Sequence, residues 1–237
     1  MRYLDRNALD AIDAREFRAT SPYPFVNPAG LLTDEGYARL IETRPDVSKL
    51  VPSFGKTRSH GQSPHDRYVL EYERGLTGIA KPWHDFVAEL HGDEYMAFIR
   101  RLFGGRTYRL NMHWHYTPSG CSVSPHCDAA HKAGSHIFCL NTDDDWDAEW
   151  GGQTLALDDS GRFATGSAPA FDDFHRVIAS ECIGNYSVLF KREKRSWHGV
   201  RPLACPEDRL RMVFIVVIND PLLYAGRRLL NKIRARG

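Results

Sequence analysis

No stretch of this 237-residue chain is apolar over the roughly 18 residues that a membrane helix needs. The opening segment, MRYLDRNALDAIDAREFRAT, carries too much charge for a secretory signal. Cysteine is scarce: Cys121, Cys127, Cys139, Cys182 and Cys205 are scattered, odd in number and form no C-x-x-C pair. That argues against a disulfide framework and against a structural zinc site. Together these absences lead us to expect a reducing, cytoplasmic compartment. Charge of one sign is missing too, with 31 Lys and Arg against 30 Asp and Glu. A balance of +1 gives no global attraction to nucleic acid, and none is expected as a partner. Repeats and low-complexity tracts are absent.

What is present, 42% hydrophobic and 26% charged residues, suits a globular protein of this length, read as a single domain over 1–237. Residues 1–104 read as a mostly helical N-terminal region. Thr33-Asp-Glu resembles a helix start for a segment running to about Arg44, which Pro45 closes. A polar stretch, SFGKTRSHGQSPHDRY, reads as loop. Two helical patterns fill 77–103, the second with Tyr95, Phe98, Ile99 and Leu102 at helical spacing.

Over 105–220 the texture changes to short strand-like runs, TYRLNMHWHY, HIFCLN, GGQTLALD, YSVLFK and RLRMVFIVVIN, with turn residues between most of them. The expected class is mainly β with flanking helices (α+β), a sandwich or barrel covered by a helical layer. Residues 221–237 read as an amphipathic helix with Leu222, Leu223, Leu229, Leu230 and Ile233 against Arg227, Arg228, Lys232, Arg234 and Arg236. Such a helix usually docks on its own domain, and peripheral contact with an anionic membrane is the alternative. Oligomeric state is not legible.

Chemistry enters at SPHCDAAHKAGSHIFCLN, residues 124–141. In an extended segment His126 and Asp128 project to one face, because strand side chains alternate with period two. Imidazole plus carboxylate suits Fe(II) or Mn(II). Alone, the pair could equally be two surface residues. His198, in SWHGVRPL and 72 positions on (198 − 126), supplies a third donor from a distant strand. Two imidazoles and one carboxylate form the facial triad that leaves coordination positions open in non-haem Fe(II) oxygenases.

The order of further motifs carries a resemblance. Tyr116-x-x-x-Gly120, His126-x-Asp128, Leu140-Asn141, Trp146-Asp147 before Gly151-Gly152, His198 with Val200 and Pro202, and Arg209 follow one another over residues 107–219. This half of the chain resembles the 2-oxoglutarate- and Fe(II)-dependent dioxygenases, in their prolyl-hydroxylase-like branch. The resemblance implies a double-stranded β-helix (jelly roll) and an oxidoreductase that hydroxylates an unactivated C–H bond, releasing succinate and CO2. It implies Fe(II) on His126, Asp128 and His198, with 2-oxoglutarate and O2 as cosubstrates and ascorbate as an accessory reductant. Arg209, eleven positions after His198 (209 − 198), is the expected partner of the 2-oxoglutarate 5-carboxylate, with Arg211 as runner-up on the same face. Tyr116 is expected to help hold the cosubstrate, with His113 and His115 on the opposite, outer face. One departure stands out: where that branch often carries a second tyrosine, this chain has Cys139. The substrate is expected to be a small molecule, a glycan or an amino-acid-type compound. Two readings of other classes stay open, a non-catalytic metal-binding or sensing domain on the same fold and a cupin-like metal-dependent hydrolase or isomerase.

Overall fold

Alternation along the longest strand-like runs decides how the layers stack. In RLNMHWHYTP and LRMVFIVVIN every second residue is a large apolar one, so each strand has one face suited to a helical cover and one left for something else. The computed structural model describes residues 1–105 and 107–226. In chain order it contains α1 (Arg6–Ala11), α2 (Ala14–Ala19), β1 (Phe25–Val26), α3 (Asp34–Glu42), β2 (Val51–Ser53), β3 (Arg67–Tyr72), α4 (Lys81–Leu90) and α5 (Asp93–Phe103). There follow β4 (Arg109–Pro118), β5 (Val123–His126), β6 (Lys132–Cys139), β7 (Leu155–Asp158), β8 (Arg176–Ala179), β9 (Ser187–Lys191), β10 (Trp197–Val200) and β11 (Leu210–Asn219).

The strands form two antiparallel sheets, one ordered β1-β9-β6-β11-β4-β3-β2 and the other β5-β10-β7-β8. Their facing sides touch through Ile137, Val188 and Val213 of the larger sheet and Ala156 of the smaller. The mixed architecture with helices outside agrees with expectation, but among the described residues the sheets stay separate and no closed barrel is seen. Residues 1–104 are less purely helical than expected, because β1, β2 and β3 from this region extend the larger sheet at both edges. Arg67–Tyr72 does alternate, with Tyr68, Leu70 and Tyr72 packed toward the helical side, but it lies near an edge, its residues are mostly half-buried, and its pairing comes from distant β4.

The helical layer forms where capping and periodicity direct it. The Thr33 hydroxyl accepts from the Gly36 amide at 3.0 Å and starts α3. Tyr95, Ile99 and Leu102 of α5 are fully buried. Trp83 and Phe86 of α4 pack on the back of the larger sheet, with Trp83 5.1 Å from both Trp114 and Phe214 between ring centroids. Truncating any one of these aromatics to alanine costs about 3–5 kcal/mol by the usual cavity cost. Helix packing therefore claims the face bearing Leu110, Met112, Trp114 and Tyr116 on β4, and Met212, Phe214 and Val216 on β11. Residues 221–226 are helical, and the remainder of the expected amphipathic helix lies outside the described residues. Among the described residues no helix is long and apolar enough to cross a membrane.

One buried histidine in this core makes stability depend on pH. His136 is fully buried with its Nδ1 2.9 Å from the Tyr95 hydroxyl, and burial pushes its pKa down to about 3. Between that value and the ordinary 6.5 the unfolded chain binds a proton there that the folded chain does not. Its stabilising share is therefore complete above pH 6.5 and is lost as pH falls. Chemical denaturation at pH 7 and pH 5 should show His136→Gln losing about 2 kcal/mol less than wild type over that interval. Equal losses would mean that His136 does not titrate this way.

Candidate metal centre

β5 and β10 are antiparallel neighbours, and their register sets His126 directly opposite His198. Cross-strand partners project to the same side, so the two imidazoles meet, their centroids 4.3 Å apart. Each ring is held by the backbone two residues before it: His126 Nδ1 lies 2.9 Å from the Ser124 carbonyl and His198 Nδ1 2.9 Å from the Ser196 carbonyl. A carbonyl can only accept, so the proton sits on Nδ1 and Nε2 carries the lone pair. Burial lowers the pKa of both imidazoles, which keeps them neutral and able to ligate. Phe190 packs against His198 at 4.5 Å and closes one side.

Asp128 lies just beyond the end of β5, and its carboxylate is buried. Burial alone would raise its pKa, but the Lys132 ammonium, by its charge and its hydrogen bond, outweighs that and holds the carboxyl well below its usual range. Lys132 Nζ donates to Oδ1 at 2.6 Å and Ser135 Oγ to Oδ2 at 3.3 Å. A carboxylate has about four lone-pair sites, so acceptor capacity remains. One donor atom from each of His126, Asp128 and His198 lies within 4.8 Å of the others. Two neutral imidazoles presenting Nε2 and one ionised carboxylate fit a divalent first-row metal, and the set has no thiolate to favour zinc.

The triad opens into a cavity of about 590 Å³ between the sheets. Its wall carries His113, His115 and Thr117 of β4, and Arg211, Ile215 and Val217 of β11. This reverses the expected parity of β4. His113 and His115 face the cavity, their rings stacked at 4.3 Å, whereas Tyr116 points to the helical side and donates its hydroxyl to the Pro45 carbonyl at 2.8 Å. Tyr116 is therefore not a cavity residue. The residue types agree with this parity without dictating it: Met112, Trp114 and Tyr116 suit a helix-covered face, whereas His113, His115 and Thr117 suit a polar chamber. Tyr116→Phe should cost about 1 kcal/mol of stability, the worth of one hydrogen bond, and leave cosubstrate affinity unchanged. Chemical denaturation and titration with N-oxalylglycine, an unreactive 2-oxoglutarate mimic, would check both.

The arginines also exchange places. Arg209 precedes β11 in a turn, its side chain 42% exposed and its Nε 3.8 Å from the neighbouring Asp208 carboxylate. Arg211 is 6% exposed and lines the cavity. Its Nε donates to the Gly152 carbonyl at 2.6 Å and its Nη2 to Thr154 Oγ1 at 3.2 Å, and no carboxylate among the described residues pairs with it. Gly152 makes this possible: its φ is +97°, and an added Cβ would stand 3.3 Å from Arg211 Cδ and 3.4 Å from the Trp146 ring.

The N-terminal region contributes as well, a role that no motif in residues 1–104 announces. Arg58, His60, Gln62, His65 and Arg67 line the same cavity. His65 Nε2 lies within hydrogen-bond distance of Ser124 Oγ, at 2.9 Å, and its ring lies 4.8 Å from that of His126.

Comparison of the chain with family models and with curated proteins finds no match. Solved structures do resemble it. A prolyl-4-hydroxylase from Pseudomonas putida aligns over 90% of this chain and 99% of its own, with a TM-score of 0.62 at 18% identity. A prolyl hydroxylase from Trichoplax adhaerens, solved with a hypoxia-inducible-factor peptide fragment, aligns over 91% and 89%, with a TM-score of 0.59 at 14% identity. The alpha-ketoglutarate-dependent epimerase SnoN from nogalamycin biosynthesis aligns over 91% and 82%, with a TM-score of 0.58 at 17% identity. The chain thus shares the fold of non-haem oxygenases that use 2-oxoglutarate.

Proposed function

We propose that this protein is a 2-oxoglutarate- and Fe(II)-dependent dioxygenase that hydroxylates a small-molecule or aminoacyl-type substrate. The observation that carries the reading is the convergence of His126, Asp128 and His198 in a cavity that also holds a buried, carboxylate-free arginine. The two sheets are read as the halves of a double-stranded β-helix. The chain supports this by passing from one sheet to the other at β4 to β5, β5 to β6, β6 to β7, β8 to β9, β9 to β10 and β10 to β11.

Fe(II) held by His126 Nε2, His198 Nε2 and the Asp128 carboxylate would supply the oxidative chemistry, coupling decarboxylation of 2-oxoglutarate to insertion of oxygen into a C–H bond. The protein's own part is positional. The Ser124 and Ser196 carbonyls orient the two imidazoles, while Lys132 and Ser135 orient the carboxylate. Arg211 would hold the 5-carboxylate of 2-oxoglutarate, since a buried guanidinium without an anion is costly and its planar fork matches a carboxylate. Gly152 and Thr154 hold that fork in place. Phe190, Val217 and Ile215 limit the water around the ligands.

The test is succinate formation from 2-oxoglutarate with Fe(II), O2 and ascorbate, screened over metabolite fractions, with mass spectrometry for the gain of one oxygen atom. Turnover that N-oxalylglycine blocks supports the reading. Metal-dependent turnover indifferent to 2-oxoglutarate would instead support the hydrolase or isomerase alternative, and bound iron with no turnover on any fraction would support the sensing domain.

A further inference from the structure

The cavity wall is far more cationic than the chain as a whole. Arg58, Arg67, Lys132, Arg192 and Arg211 line it, and Asp128 is the one carboxylate among the lining residues. A chain with 31 basic and 30 acidic side chains has not produced this by average composition. Most of the imbalance has a use under the dioxygenase reading, on which this inference rests. Lys132 is paired with Asp128. Arg211 meets a carboxylate of 2-oxoglutarate, and the charges of a divalent metal and a dianionic cosubstrate cancel. Arg192 spends its Nε on the Asp128 carbonyl at 3.2 Å, bracing the ligand loop. Arg58 and Arg67 are left over.

Neither of these two is ion-paired among the described residues. Among the described residues the one side-chain hydrogen bond of Arg58 is a long one, Nε to Gln62 Oε1 at 3.4 Å. Arg67 donates Nη1 to the His65 carbonyl at 2.6 Å, while its buried Nε has no hydrogen-bond partner among the described residues. Burial depresses the pKa of both and Arg58 depresses that of Arg67 further, while the Asp128 charge on Arg58 and the Asp66 charge on Arg67 act the other way. Two like charges beside an orphaned donor are costly to hold together unless an anion joins them.

Their placement is built. The segment that carries them is tied across the cavity by Gln62 Nε2 donating to the Ser167 carbonyl at 3.2 Å and by Ser124 Oγ donating to the Ser63 carbonyl at 3.3 Å. Arg58 and Arg67 both lie near enough to His65 for their charges to act on it, and its ring abuts the metal ligand His126. A group bound between them would leave the rest of its molecule beside the triad. We propose that the substrate carries an oxyanion, a phosphate ester or a carboxylate, and that Arg58 and Arg67 bind it as specificity-determining residues.

The test uses the full chain loaded with Mn(II) and N-oxalylglycine, so that the metal and the Arg211 subsite are filled. Methyl phosphate, propionate and the neutral propionamide are titrated by calorimetry in a buffer free of other oxyanions. At least one anion should bind about tenfold more tightly than propionamide, the worth of one charge-assisted hydrogen bond, and the tighter anion identifies the group. Arg58→Gln/Arg67→Gln should abolish that preference while leaving N-oxalylglycine affinity unchanged, and Arg58→Gln alone should reduce it. Anions that bind no better than propionamide, or equally well to the double variant, would overturn the proposal and leave the dioxygenase reading intact. If the double variant instead loses N-oxalylglycine, the two arginines serve the cosubstrate and the proposal is also wrong. Failure of wild type to bind Mn(II) and N-oxalylglycine would remove both readings together.

Discussion

Asp128→Ala protein is expected to lose divalent-metal affinity by more than the roughly 10–100-fold that follows removal of a ligand's hydrogen-bond partner. Asp128 is the one anionic donor in the triad, so without it two neutral imidazoles face a dication with no charge to offset it. Oxygenase turnover should disappear with the metal. The fold should survive, because Lys132 keeps 28% of its side chain exposed and can turn its ammonium to water when its partner goes. That separation makes the experiment decisive. Titration of metal-free protein with Mn(II) reads the affinity, and thermal unfolding in the presence of a chelator reads the apo fold. An apo melting temperature near wild type with the metal affinity gone is the expected pair of results. Unchanged Mn(II) affinity would sink the site.

Arg211→Ala is expected to weaken N-oxalylglycine binding about ten- to a hundredfold, equivalent to about 1.5–3 kcal/mol for hydrogen bonds to a charged group. Arg209→Ala should leave it unchanged, since that side chain lies in solvent beside Asp208. Arg211→Lys keeps the charge but cannot present two parallel donors, and should fall between the two. A further consequence separates this residue from a merely electrostatic one. Removing the guanidinium strips the Gly152 carbonyl and Thr154 Oγ1 of a donor in a buried setting, so stability should fall as well. Calorimetric titration of the Mn(II)-loaded protein gives the affinity, and denaturation in the absence of ligand gives the stability. If Arg209→Ala weakens binding and Arg211→Ala does not, the assignment reverts to the first arginine.

Tyr116 and Arg209 depart from expectation for two different physical reasons. A period-two pattern says which residues share a face, but it does not say which face looks inward. On β4 two faces compete for burial, one apolar and one polar, and both end up covered: the first by α4 and α5, the second by the opposing sheet and the cavity. The resemblance places Tyr116 at the cosubstrate, but the aromatic face of β4 lies under the helices. The cavity instead has polar walls, which His113, His115, Thr117 and Arg211 supply. For the arginines the deciding fact is where the strand begins. β11 starts at Leu210, so Arg209 falls into the preceding turn and Arg211 is its first inward residue.

The sequence by itself determined the identity of the three candidate metal ligands, the strand-rich character of the second half and the helical cover of the first. Each is written locally, in residue types whose chemistry is specific or in periodicities that one element imposes on its own residues. Only the tertiary structure decided which arginine reaches the cavity, which face of β4 lines it, and that Arg58, His65 and Arg67 arrive there from more than fifty positions before β5 (123 − 67 = 56 for the nearest). Those facts depend on the pairing of strands distant in sequence and on which buried layer claims a given face, and no short stretch of the chain contains either.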